Sequence, residues 1–222
     1  AAQLADDFCC TTDDVLGPEP VFSVLEMREG QRRYSSAGDA FKAAVAGDKL
    51  LIAAAPDMLA WCRERYANGN PAWFMEMDTL RELDARLAQD GLYIASAHPF
   101  FLPERPVTPV TDGWDIRWYE VEAIEQFRGD KRFPQSFAFN PFSPDELGVS
   151  ASVNGEIVAM AGASRDSQRM WQIGVDVRPD MRGKGLGSTV VSLLKNEVML
   201  RGRLPFYGTA MSHIASQRTA LR

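Results

Sequence analysis

Along the first hundred residues the apolar positions change period several times, which predicts a mixed α/β segment. VFSVLEM (21–27) reads as a strand, and QRRYSS (31–36) as its partner across a turn at Glu29-Gly30. KLLIAAA (49–55) is a buried-type strand. It leads into PDMLAWCRERYANG (56–69), a helix with Pro56 in its first turn and Gly69 past its end. MDTLRELDARLAQDG (77–91) is a second helix, with Leu80, Leu83 and Leu87 on one face and Gly91 as its stop, and LYIASA (92–97) closes the segment as a strand. HPFFLPERPVTPVTDGWD (98–115) carries four prolines and reads as an extended linker. Two domains are therefore expected, 1–105 and 106–222.

After the linker the periods sharpen. DIRWYEV (115–121) alternates as a strand, and EAIEQFRG and FPQSFAF read as short helices or turns. ELGVSASVNGEIVAMAGAS (146–164) is a hairpin, because Asn154-Gly155 supplies two residues able to adopt positive φ. RMWQIGVDV (169–177) is the next strand. STVVSLLKNEVMLRG (188–202) is a helix with Val190, Leu194 and Val198 at four-residue steps and Gly202 as its end. PFYGTA (205–210) is a strand and SHIASQRTALR (212–222) begins a helix.

Charge and cysteine content narrow the classes. The 222 residues carry a net charge of −6 with a pI near 5.0, which argues against a general nucleic-acid binder. Cys9, Cys10 and Cys62 cannot all pair and show no metal-ligand spacing, so no metal is expected and a reducing cytoplasm is. No apolar run approaches the roughly 20 residues of a membrane span, so no membrane partner is expected. The opening AAQLADDFCC has acids where a signal peptide has cations, and it lacks an initiator Met, as a processed or trimmed chain would.

DMRGKGLGST (180–189) joins the strand at 169–177 to the helix at 188–202. A helix N-terminus carries partial positive charge and unpaired N–H groups, so it favours acids. Here it receives Arg182 and Lys184, and the first acid downstream is Glu197. A ligand anion would supply the missing charge. The nucleoside-triphosphate loop fails because Lys184 is followed by Gly185, and the dinucleotide fingerprint fails at Ser188. What remains is Arg-x-x-Gly-x-Gly on Arg182, Gly185 and Gly187, preceded by Val175-x-Val177-x-Pro179.

With these motifs and the surrounding element order, residues 113–222 resemble the GNAT superfamily of acyl-coenzyme A dependent N-acetyltransferases, in a bacterial subgroup with an α/β lead-in. The resemblance implies an α/β fold with a mixed sheet, in which a GNAT domain follows a smaller α/β N-terminal domain, itself read as a degenerate relative of the same fold. It implies that the backbone from Arg182 through Gly183, Lys184, Gly185, Leu186 and Gly187 to Ser188 cradles the pyrophosphate of coenzyme A. Pantetheine then pairs with Val175 and Val177, in a gap between that strand and the next. It further implies transfer of an acetyl group from acetyl-coenzyme A to a primary amine by direct attack in a ternary complex. The acceptor is a small molecule or a peptide.

The family's usual catalytic residues are missing. The strand positions that commonly hold Glu carry Trp171 and Ile173, and the helix position that commonly holds Tyr carries Ala220. Asp176 becomes the candidate base, Tyr207 and Ser216 the candidate acids, and His213 and Ser216 candidate coenzyme contacts. Glu120, Glu122 and Glu125 form a candidate acidic lip for a cationic amine. The rival reading is a non-catalytic acyl-coenzyme A sensor or regulatory domain; remoter still is a protein-interaction domain with a vestigial loop. The family pattern also continues past this helix with further strands. PFYGTA is therefore expected as an open edge, or as one covered by residues 1–105 or by a second copy in a homodimer.

Overall fold

The computed structural model describes residues 1–33 and 39–222. The chain divides into two units, Ala1–Ala97 and His98–Arg222. The division falls ahead of the expected 105/106 boundary because residues from Pro99 onward already bond to the second unit's sheet and helix.

In the first unit, helices α1 (Ala2–Asp7) and α2 (Thr12–Leu16) precede strands β1 (Val21–Val24), β2 (Phe41–Ala46) and β3 (Lys49–Ala54). Helices α3 (Pro56–Tyr66) and α4 (Met77–Ala88) follow. Strand β3 is central, parallel to β1 and antiparallel to β2. Its alternation serves two cores: Leu50, Ile52 and Ala54 pack with α3 and α4, while Leu51 and Ala53 pack with Phe8 and Val21. The three-stranded order β1-β3-β2 differs from that of the second unit.

One strand expected here, LYIASA, does not form, and the described part of another, Gln31–Arg33, is not strand. Gln31 donates through Nε2 to Cys9 Sγ and Glu26 O, and Arg32 is ion-paired with buried Asp7 at 2.7 Å, so this stretch clamps α1 instead of pairing β1. The remainder of QRRYSS, from residue 34, lies outside the described residues. LYIASA is spent capping: Leu92 N donates to Leu87 O across Gly91 (φ 72°), and Ile94 N donates to Asp84 Oδ1.

The second unit comprises β4 (Phe100–Phe101), β5 (Asp115–Glu120), α5 (Val121–Ile124), β6 (Asp145–Val153), β7 (Glu156–Arg165) and β8 (Met170–Val177). Helix α6 (Leu186–Leu200), β9 (Leu204–Gly208) and α7 (Ile214–Ala220) complete it. The sheet order is β4-β9-β8-β7-β6-β5, antiparallel except for the β8–β9 pair that α6 connects. The hairpin turn is as expected, with φ of 52° at Asn154 and 79° at Gly155. Helix α6 buries Leu186, Val190, Leu194 and Val198 on one sheet face, against Leu147, Val149, Ala161 and Ile173. Burying side chains of this size stabilises by about 1.5–3 kcal/mol each. The other face is covered by an aromatic cluster of Tyr119, Phe127, Phe133 and Phe137.

The proline-rich stretch is extended but not free. Asn196 holds Val107 by both backbone groups, Thr189 Oγ1 donates to Val110 O, and Lys195 Nζ donates to Arg105 O. It straps along α6. The edge of β9 is covered over Tyr207–Gly208 by Phe101 and Phe100, so the second of the three expected arrangements occurs over this stretch.

Candidate functional site

Strand β8 leads into a single 3-10 turn (Pro179–Met181), an extended Arg182, Gly183 at φ 77°, and Gly185 at φ 85° as the N-cap of α6. Positive φ at both positions demands glycine. The cap offers no side-chain acceptor and the first turn no acid, so the N–H groups of Leu186, Gly187 and Ser188 lack the usual cap partner. A Cβ built at Gly183 or Gly185 meets nothing within 4 Å, so the surface above the turn is open. Gly187 sits tighter, its Cβ position 3.4 Å from Val177 Cγ2 and 3.8 Å from Thr219 of α7. Arg178 is occupied by Glu156 and Asp180. Arg182 and Lys184 are exposed and form no ion pair among the described residues. Arg182 Nε instead donates to Val177 O at 3.2 Å.

Beside this turn the sheet parts. Strands β8 and β9 pair at Met170–Leu204, Trp171–Pro205 and Gln172–Phe206, and no further. On its other side β8 stays paired with β7 through Val177–Ala159. Arg178 N donates to Val158 O, and bonded positions alternate along an antiparallel ladder, so Asp176 and Gly174 are the residues bonded to β7. The N–H and C=O of Val175 and Val177 therefore point into the gap.

The sequence from 114 to 220 matches the model of the acetyltransferase (GNAT) family. Residues 114–220 form a GNAT domain. Members of this family move an acyl group from acyl-coenzyme A to an amine. Among solved structures, the chain is 14% identical to a GCN5-related N-acetyltransferase-like protein from Streptococcus suis, covering 87% of this chain and 83% of that one, with a TM-score of 0.45. It is 20% identical to a GCN5-related N-acetyltransferase from Kribbella flavida, over 59% of this chain and 53% of the other, with a TM-score of 0.44. It is 15% identical to an aminoglycoside N-acetyltransferase in complex with coenzyme A, over 58% and 88%, with a TM-score of 0.36. The chain thus spans about half the length of the Kribbella relative. No curated protein matches it. The family match, not these distant likenesses, carries the assignment.

Within the GNAT domain the expected site residues separate into groups. Arg182 through Ser188 form the open turn, and Val175 and Val177 border the gap. Tyr207 and Ser216 meet, with Tyr207 Oη and Ser216 Oγ 2.8 Å apart. Burial pushes the Tyr207 phenol above its ordinary pKa; the Ser216 bond opposes this and the charge of Asp176 adds to it. His213 is exposed at the N-cap of α7 and makes no capping bond through its side chain. Trp171, in the place of a usual carboxylate, is buried with its Nε1 unpartnered.

Asp176 is committed elsewhere than a free base. Its Oδ2 accepts from Gln135 N at 2.9 Å, Ser136 N at 2.8 Å and Ser136 Oγ at 2.8 Å. The acidic lip is largely neutralised: Glu120 pairs with Arg201 at 2.6 Å and Glu125 with Arg128 at 2.7 Å, and the arginine bonds hold both carboxyls below their usual range. Sequence reasoning missed Gln135, Ser136 and a row of cross-strand glycines, Gly148–Gly162–Gly174. The available signal was one glycine in each of three successive strands.

Among the described residues no group of three or more His, Cys, Asp or Glu could hold a metal ion, and no helix is long and apolar enough to cross a membrane.

Proposed function

We propose that the GNAT domain binds acetyl-coenzyme A and acetylates a primary amine by direct attack in a ternary complex. One observation carries this reading: two exposed cations with no ion pair among the described residues, and an uncapped helix N-terminus, follow the stretch of β8 from Ile173 to Val177 that has no partner strand on the β9 side. The residues fit the coenzyme. Backbone N–H groups from Gly183 to Ser188, with Arg182 and Lys184, complement a diphosphate by charge-assisted bonds. The amide-like arm of the coenzyme matches the outward backbone groups of Val175 and Val177, and Ser216 and His213 border its path.

When bound, the coenzyme supplies an activated acyl carbonyl and a thiolate leaving group. Val175 N–H faces the gap and can bond the carbonyl oxygen as charge develops there. Tyr207 stays protonated because its phenol is raised, so it donates a hydrogen bond towards the sulfur. A phenol less acidic than a thiol, whose pKa is about 8.5, steadies the thiolate without surrendering its proton fully. Ser216, bonded to Tyr207, fixes the direction of that hydroxyl. An alkylamine is mostly protonated at neutral pH, so solvent or a residue outside this constellation removes its proton.

That last point favours a second reading, a non-catalytic acyl-coenzyme A binding domain. Trp171 and Ile173 stand where a carboxylate base is usual, and three donors occupy Asp176 Oδ2. Calorimetry with coenzyme A and a thiol-release assay over an amine panel separate the two. Binding with turnover supports the enzyme; binding without turnover supports the sensor; neither would leave only the fold.

A further inference from the structure

The face of the sheet opposite α6 carries a trough. Gly148, Gly162 and Gly174 are successive register partners on β6, β7 and β8, so three neighbouring strands lack a side chain along one line. Residues 135–137 lie in it. A Cβ on Gly174 would collide with the Gln135 carbonyl oxygen, and one on Gly162 with the Ser136 carbonyl oxygen. A Cβ on Gly148 would stand 2.6 Å from the Phe137 ring. Ser136 and Phe137 are buried there, and Gln135 stays exposed at the β8 end. At that end Asp176 of β8 takes both backbone N–H groups on one oxygen, and the single Ser136 hydroxyl proton is shared between that oxygen and Met160 O of β7.

Position gives the clamp its meaning. The open turn and α6 occupy the opposite sheet face, so a coenzyme seated there reaches the gap from that side. An amine must come from the other face, where Pro134, Gln135 and Ser136 are the segment nearest β8. We propose that Asp176 is a positioning residue: it holds residues 134–136 in the glycine trough as the acceptor-side wall of the gap. The proposal rests on the acetyltransferase reading.

The test uses the full chain with Asp176→Asn, Asp176→Ala, Ser136→Ala and Gly174→Ala; the last expels the segment without touching the carboxylate. Coenzyme A affinity is read by calorimetry, steady-state kinetics by thiol release with spermidine, kanamycin and Nα-acetyl-lysine amide, and the segment by hydrogen exchange. For Asp176→Ala and Gly174→Ala the expected result is an acceptor KM raised tenfold or more and coenzyme A affinity within threefold of wild type. The pH profile of kcat keeps its shape. Exchange at the Gln135 and Ser136 amides rises at least a hundredfold while the β6–β7 hairpin stays protected, and Asp176→Asn and Ser136→Ala fall between. Unchanged exchange overturns the clamp. A lower kcat with unchanged KM and a lost limb of the pH profile makes Asp176 the base instead. Coenzyme A affinity falling in step with acceptor KM overturns the assignment of the wall to the acceptor. Wild type inactive with every amine removes the acceptor role together with the acetyltransferase reading, while exchange still decides the clamp.

Discussion

Replacing Gly185 by valine tests the open turn most directly. Gly185 has φ 85°, where a β-branched residue is strained, and its Cβ would project into space that holds no protein atom within 4 Å. Two costs separate cleanly. The left-handed conformation costs about 1–2 kcal/mol of stability for a non-glycine residue, which a domain stable by roughly 5–15 kcal/mol survives folded. On binding, the new methyl groups stand over the helix N-terminus and displace the diphosphate from the N–H groups of the first turn. Losing the dipole interaction removes about 1 kcal/mol, and losing one or two hydrogen bonds to a charged oxygen removes about 1.5–3 kcal/mol each. The total of about 2.5–7 kcal/mol corresponds to a loss of affinity of roughly seventyfold or more. Calorimetry of coenzyme A binding measures it, and thermal denaturation with circular dichroism confirms that the variant is folded. A folded Gly185→Val protein with wild-type affinity would refute the placement of the diphosphate on this turn.

Other expectations follow from single side chains. Tyr207→Phe removes the hydroxyl bonded to Ser216 and, under the proposed mechanism, should lower kcat about ten- to a hundredfold with coenzyme A affinity little changed; stopped thiol-release assays check this, and an unaltered rate would remove Tyr207 from the chemistry. Ser216→Ala leaves the phenol without its partner and should give a smaller loss in the same assay. Asn196→Ala breaks both bonds to Val107 and should cost about 1–2 kcal/mol and speed proteolysis between Pro99 and Thr111, read by denaturant titration and limited thermolysin digestion. Cys62 is fully buried and its thiol is pushed up to about 11 from 9.0 by loss of solvation. The unfolded chain therefore loses this proton first, so stability held below about pH 9 falls by roughly 2–3 kcal/mol as pH approaches 11, and Cys62→Ala should show a flatter stability profile over that window.

Most of the second unit was legible because its signals are local. Asn154-Gly155 sets the hairpin, and the four-residue spacing of Val190, Leu194 and Val198 sets α6. The turn from Arg182 to Ser188 announces itself by the wrong charge at a helix start. The first unit was harder. FKAAVA forms β2 although its small alanines carry little periodic signal, and α1 and α2 are too short to show a period. LYIASA has the composition of a strand, but its first N–H groups are taken by the end of α4. At the site, the failures are long-range. Glu120 looks like an exposed acid until Arg201, 81 residues away, arrives beside it. Asp176 looks like an outward strand carboxylate until the backbone of Gln135 and Ser136 folds onto it. The glycine trough exists only through strand register, which no window of the chain contains.

The gap itself depends on a feature that local reading hides. Strand β9 uses its two edges in sequence: Leu204–Phe206 pair with β8, then Tyr207 and Gly208 pair with β4 on the opposite side, and Thr209 N donates to Pro99 O. Pro205 fits this division. Leu204 N donates to Arg169 O on the β8 side, so the next nitrogen, which has no hydrogen to give, faces away from β8 and costs no ladder bond. Gly208 fits it as well, since a Cβ there would lie 2.9 Å from the Phe100 ring and 3.2 Å from Gln172 Nε2. From Tyr207 onward the chain is anchored by the short β4 strand, and its β8-facing edge is left unpaired opposite Ile173–Val177. Two phenylalanines in a proline-rich stretch thus do more than blunt an exposed edge. They hold β9 on the far side while the ladder to β7 holds β8 on the near side, so the two strands stay apart from Ile173 to Val177.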